Sequence, residues 1–433
     1  MHFYLLVLVI CATPALLIID SPIDQGVIPA VLAMALAFAA RTIRPGQADR
    51  FFALARPVAI VAAIPAFWIL VQVLPLEIAG ISNPIWDSAS AGIGHAIRGG
   101  ISIDPGFTLL SLSDYFTMVA VLFLSMIACL DRQRAQWVLF ALTTATALTA
   151  LILIGDTLAG VNFLSATSNT VPRIGALDSA ALGLILSSAN AIGVFDRYES
   201  QRSTSKSSIA IFAMAFVFCV VAFAACALAI SLRPTGYLIL AAGSGLATLA
   251  TVVLIRGLGL GPWGRSAIGS VAIVVAISVV AMQPASEIAA LTLPLVPQIL
   301  ISPSSVTERI LAASPWTGTG AGTFATLIPI YRDADDVVAE YSAPNVAMKI
   351  AVEAGRPAVW AALFIAITAA AVLFRGALRR RRDSFYSAAG AGCAVTLVLL
   401  CFTDSGMLQT PTSMVASAVL GLAFGQRLSR TIK

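Results

Sequence analysis

Ile209-Ala-Ile-Phe-Ala-Met-Ala-Phe-Val-Phe-Cys-Val-Val-Ala-Phe-Ala-Ala-Cys-Ala-Leu-Ala-Ile230 contains no charged side chain. A helix needs about 20 apolar residues to cross the hydrocarbon of a bilayer, so this run is long enough to span one. Apolar segments of the same kind recur at about 3–19, 26–40, 57–74, 114–130, 136–154, 177–195, 237–255, 266–282, 357–374, 385–402 and 408–424. Together they make twelve candidate spans, of which the second and the last are short. The expectation is an all-α, polytopic membrane protein forming a single membrane domain over residues 1–433.

Composition points the same way. Of the 433 residues, 59% are hydrophobic and 11% charged. Soluble domains carry about 25% charged residues, so this chain has too little charge to solvate a globular surface of its size. A soluble enzyme is excluded, and so is a disordered chain. The net charge of +5 suggests no nucleic-acid partner, because the positive charge sorts by side instead. With the N-terminus in the cytoplasm, 19 of the 26 Lys and Arg fall in cytoplasmic connections, including Arg379 to Arg382, and 7 on the other side. This bias obeys the positive-inside rule and places both termini in the cytoplasm. The first twenty residues lack a basic leader and read as a retained span. All six cysteines fall in apolar runs, as core residues do. With only His2 and His95, no zinc site is expected.

The long connections lie on the basic-poor side, at 75–113 and 283–356, between the third and fourth and the ninth and tenth spans. Long loops are where function concentrates. In the second, Ser305-Val-Thr-Glu308 fits a capping box, which predicts a short helix from about Val306 that stops before Pro315. Arg309 then falls in the first turn, where a cation opposes the helix dipole. Pro315-Trp316-Thr-Gly-Thr-Gly-Ala-Gly322-Thr-Phe324 follows. Its glycines lack the spacing and the following Lys of a nucleotide-phosphate loop, and instead suit a tight turn or close backbone packing. Asp333, Asp335 and Asp336 open an acidic stretch ending near Tyr341. A further helix is expected from about Pro344 to Ala354, closed by Gly355.

Three arginines on this side invite a role. Arg233 lies in Ser231-Leu-Arg-Pro-Thr-Gly236, a short link between spans; Arg309 sits at the helix start; Arg173 precedes the sixth span. Guanidinium groups bind phosphate oxygens bidentately and keep their charge, so a converging pair suits a lipid pyrophosphate and would stabilise it as it leaves. Glu340, Glu353 and His95 are candidates for taking a proton from a sugar hydroxyl; the other carboxylates of this side read mostly as loop-solubilising. There is no Ser-His-Asp, Cys-His or HExxH constellation.

At these residues the chain resembles the bacterial O-antigen ligase and O-antigen polymerase superfamily of membrane glycosyltransferases. The Arg309 to Phe324 segment looks like that family's arginine, proline and glycine-rich turn in its large periplasmic loop. Pro344-Asn345 through Glu353-Ala-Gly355 is similar to its His-Asn segment followed by Glu-x-Gly. Asp404-Ser-Gly-Met-Leu-Gln-Thr-Pro411 resembles its Asp and Pro motif, and Ser231 to Gly236 a loosened Ser-Arg pair. The chain departs from the pattern at Pro344, where the family carries a histidine proposed as the base.

The resemblance implies metal-independent, cofactor-free glycosyl transfer at the periplasmic face of the bacterial inner membrane. The donor would be an undecaprenyl-pyrophosphate-linked glycan and the acceptor another glycan or lipid A core. Arg309 and Arg233, with Glu353 and Glu340, are then the catalytic candidates; Arg173, Trp316, Gly320, Asn345, Asp404 and His95 are the substrate-binding ones. Polymerase and ligase remain open, as do a lipid-linked oligosaccharide flippase and a non-catalytic carrier-binding partner.

Overall fold

The structure is a computed structural model that describes residues 2–18, 22–42, 45–75, 82–96, 99–158, 171–200, 206–232, 235–257, 304–331, 343–379 and 383–427. Among these residues the secondary structure is entirely helical. In chain order the helices are α1 His2–Leu16, α2 Pro22–Thr42, α3 Pro45–Val73, α4 Ile85–Ile93, α5 Pro105–Ala128, α6 Arg132–Leu158, α7 Val171–Ser200, α8 Lys206–Leu232 and α9 Gly236–Gly257. They continue with α10 Ser304–Ala313, α11 Phe324–Tyr331, α12 Val346–Glu353, α13 Arg356–Arg379, α14 Ser384–Thr403, a 3-10 turn Gly406–Leu408, and α15 Thr410–Arg427.

Eight of them, α3, α5 to α9, α13 and α14, contain segments long and apolar enough to cross a membrane. The first two expected spans correspond to shorter apolar helices, His2–Leu16 and Gly26–Thr42, and the last to α15. The expected span at 266–282 lies outside the described residues. The chain is therefore a helical membrane protein with eight such helices among its described residues.

Burial sorts these helices into layers. The spanning segment of α7 is 78% buried and that of α14 72%, against 6% for both α3 and α13. The centre is α6, α7 and α14, with α3 and α13 on the rim turning their apolar side chains outward. Small residues allow the central helices to touch backbone to backbone: a side chain at Gly245 of α9 would collide with Thr396 and Ile185. One at Gly392 of α14 would meet the Gly245 carbonyl at 2.6 Å. Such close approach is how helices associate where lipid is as apolar as leucine. The Thr396 hydroxyl, donating to the Ala241 carbonyl at 2.9 Å, adds a polar tie between α14 and α9.

Two expectations about boundaries need correction. The 75–113 connection is shorter than expected, because α5 begins at Pro105. The Asp104 carboxylate accepts from the backbone N–H groups of Gly106 and Phe107 at 2.9 and 3.1 Å, and Pro105 takes the first helical position. That is a strong start signal. The connection also contains α4. Arg173 does not sit in a loop: α7 starts at Val171 and carries it in its first turn.

Candidate functional site

One end of the bundle gathers the ends of α3, α6 and α14 and the starts of α5, α7, α9, α13 and α15, and here α10, α11 and α12 pack against it. These three short helices have a core of their own, with Val306, Ile310, Phe324, Leu327, Ile328 and Val352 buried together and Leu408 packed against it. A layer of short helices thus lies over the joint between α14 and α15. α10 begins at Ser304, so Arg309 is its sixth residue and not in its first turn. The expected conflict with the helix dipole does not arise. Arg309 is half-buried, with interactions of its own.

The glycine-rich segment is a clamp. Gly318 N–H donates to the Pro315 carbonyl at 3.0 Å, closing a turn. Thr319 and Gly320 then run beside the end of α12, donating to the Val352 and Glu353 carbonyls at 2.9 and 3.0 Å. On its other side Ile103 N–H donates to the Thr319 carbonyl at 2.9 Å. Gly318 at φ +81° lies against the Glu353 carbonyl, and Gly355 at φ +95° lies against the Trp316 carbonyl. Both conformations are in the left-handed region, and neither site has room for a side chain. Gly320, expected among the substrate-binding residues, packs on Ser102 at φ +107°. The reading of these glycines as a tight turn and close packing agrees with this geometry.

Gln72 fastens the clamp to the bundle. It is fully buried at the end of α3; its Nε2 donates to the Glu353 carbonyl at 2.8 Å and to the Thr317 carbonyl at 3.3 Å, and its Oε1 accepts from Ala321 N–H at 3.1 Å. Trp68, one turn earlier, donates its indole N–H to the Ala354 carbonyl at 3.1 Å.

Glu353 itself is buried, and its carboxylate accepts from the backbone N–H groups of Phe324, at 3.2 Å, and Gly322. It therefore caps the start of α11. Burial pushes its pKa above the usual glutamate value, and the nearby Lys349 ammonium and the two N–H groups pull it back in part. Asn345 is likewise occupied. Its Oδ1 accepts from Met348 N–H at 2.7 Å as the cap of α12, and its Nδ2 donates to the Phe402 carbonyl at 3.2 Å. Gly355 closes α12 as expected, although the helix is two residues shorter at its start.

Asp404 follows α14 and is buried; its Oδ1 accepts from Gly406 N–H at 3.1 Å, and its carbonyl accepts from Val346 N–H at 3.1 Å. Against it, from α7, lies the carboxyl of Asp178. Burial pushes the Asp404 pKa up to about 6. Arg173 forms an ion pair with Asp156 of α6 at 3.0 Å, and the Asp156 side chain is wholly buried. Asp156, Asp178, Glu353 and Asp404 are thus not loop-solubilising; they lie within the packed protein.

No family model matches the chain, and no curated protein does.

Trp316 is 71% exposed, with the Arg356 guanidinium over its ring at 5.7 Å. His95 is exposed in the bend after α4. Arg233 and Glu340 lie outside the described residues, as does the acidic stretch from Asp333 to Tyr341. The structure therefore brings the Arg309 helix, the glycine turn, Asn345, Glu353 and Asp404 into one assembly, with Arg173 at the same end of the bundle. Sequence reading missed Gln72 and the pairing of Asp178 with Asp404. For Gln72 the signal was a lone amide in the apolar run Val71-Gln-Val73, a polar group that a bilayer would leave unsatisfied.

Proposed function

We propose that this protein is a membrane glycosyltransferase of the O-antigen ligase and polymerase type, working at the periplasmic face of the bacterial inner membrane. The observation that carries the reading is that the segments resembling the family's motifs, spread from Arg309 to Asp404 along the chain, pack into one layer at one end of the bundle. A half-buried arginine, Arg309, belongs to that layer through its helix α10. An undecaprenyl-pyrophosphate-linked glycan is the donor, and its diphosphate is gripped by Arg309, with Arg233 as the second cation. A hydroxyl of the acceptor sugar attacks the anomeric carbon. The bond from that carbon to the pyrophosphate oxygen breaks, and the lipid pyrophosphate leaves with its charge held by guanidinium groups. The hydroxyl proton passes to a base. Pro344 cannot take it; Glu340 or His95 is the acceptor in this reading, since Glu353 already accepts two backbone N–H bonds. Metal and cofactor have no part in the proposed step.

Arg309→Ala in a strain whose surface polysaccharide depends on this gene is the direct test. Loss of long-chain polymer with wild-type protein level is expected; polymer of wild-type length and amount would overturn the assignment. A second reading, a flippase for the same lipid-linked oligosaccharide, is favoured by the carboxyl of Asp178, fully buried inside a spanning segment. Ionisable groups within the bilayer often mark transport pathways. Purified protein in liposomes separates the two: glycan joining supports transfer, and lipid translocation without joining supports transport.

A further inference from the structure

Asp178 and Asp404 come from opposite halves of the chain and meet inside the bundle. Asp178 lies in the second turn of α7 and has no exposed surface; Asp404 is 4% exposed. Their carboxyl groups stand within hydrogen-bonding range of each other. Asp404 has a backbone donor in Gly406 N–H, 3.1 Å from its Oδ1. Asp178 has none: both of its oxygens are buried and, among the described residues, meet no hydrogen-bond donor. Gly406 presses so closely on Asp178 that a side chain there would strike its Oδ2.

Among the described residues, the titratable groups facing the pair bring no positive charge. They are Tyr237 from α9 and Cys401 from α14. Arg173, a turn and a half earlier on α7, is engaged by Asp156 at 3.0 Å. Two adjacent carboxylates in a low-dielectric interior cannot both stay ionised. A buried carboxyl that meets no donor is also costly unless something supplies one. A single proton between the two groups answers both demands, because either acid then becomes an O–H donor to the other.

We propose that Asp178 and Asp404 form a proton-binding site, in which one shared proton ties α7 to the joint between α14 and α15. The site does not depend on whether the protein transfers or transports glycan. Its ionisation at alkaline pH places two like charges in contact and loosens that joint. The sign follows from linkage. The folded protein keeps a proton that the unfolded chain releases above about pH 4, so stability falls as pH rises from there until the pair lets its proton go. The effect is up to about tenfold in the unfolding equilibrium per pH unit.

Asp178→Asn is the matching variant, because its amide permanently supplies the donor that the proton provides. In the full chain purified in detergent, the infrared carbonyl band of a protonated carboxylic acid, shifting in D2O, is expected at neutral pH and is expected to shrink in Asp178→Asn. The apparent melting temperature of the wild type should fall between pH 6 and 9 relative to the variant. If Asp178→Asn does not fold, the wild-type band, its D2O shift and its loss at alkaline pH still decide the matter. Identical bands in both proteins, or superimposable melting profiles, would overturn the proposal. So would a wild type lacking the band but stabilised when sodium replaces potassium, since the pair would then hold a metal cation.

Discussion

The two ends of the bundle handle charge in opposite ways. At the end away from the short helices, basic residues close the helices: Arg197 in the last turn of α7, Arg256 of α9, Arg379 of α13 and Arg427 of α15. Each sits where a cation complements the helix dipole. The ion pair between Arg132 and Asp383, at 2.7 Å, has an arginine 42% exposed, and the pair between Arg134 and Asp131 is looser, at 3.7 Å. Among the described residues at the other end the charges are mostly carboxylates, and four of these are buried. There the polar groups are fixed by particular partners: Glu353 by two backbone N–H groups, Asp156 by Arg173, and Asp178 by Asp404. Charge at the first end lies at helix termini and in partly exposed pairs, and should be replaceable. Charge at the second end is built into the packing, and removing it should be felt.

Substitutions ranked by expected effect test that contrast. Gly355→Ala should be the most damaging, because the left-handed backbone strains any side chain and the new methyl strikes the Trp316 carbonyl. A loss of about 3 kcal/mol or more is expected, measured as a large fall in melting temperature of the purified full chain. Gln72→Leu should follow at about 2–4 kcal/mol, since it leaves the Thr317 carbonyl and Ala321 N–H without their partner and takes one of two donors from the Glu353 carbonyl. Hydrogen exchange at residues 317–321 should rise in step. Glu353→Ala uncaps α11 and should cost about 1–2 kcal/mol. Glu353→Gln keeps an acceptor and should cost less. It should also remove the pH dependence that comes from burying this carboxyl, whose raised pKa makes stability fall as pH climbs past the ordinary glutamate value. Arg132→Ala, at the opposite end, should stay within about 1 kcal/mol, as exposed ion pairs do. A larger effect there than at Gln72 would break the contrast outright.

Much of the fold could be read along the chain. The spanning helices follow from uninterrupted apolar runs, which admit few other structures. α10, α12 and the closing Gly355 were legible in place, but Ser305, read as the cap of α10, lies inside that helix, and Asn345, not Pro344, caps the start of α12. Most of what escaped reading depends on residues far apart in sequence, with the start of α5 as a local exception. Asp104 and Pro105 held a legible start signal for α5 that the hydropathy of 105–113 overshadowed. Asp178 looked like a loop carboxylate at the edge of a span, and only its meeting with Asp404 changes that meaning. Glu353 looked free to act as a base because nothing nearby in the chain announces that Gly322 and Phe324 will donate to it. The turn at Gly318 was legible because its Pro315 partner is three positions away, whereas the partners of Gln72 lie some 245 to 281 positions away.

α3 faces outward along most of its length, yet its last two turns hold the glycine segment through Gln72 and the end of α12 through Trp68. A rim helix of this kind tilts when the surrounding membrane grows thinner or thicker. Such a tilt is carried directly to residues 317–321 and to the end of α12. A change in the tilt of α3 is therefore expected to reach the short-helix layer through those bonds.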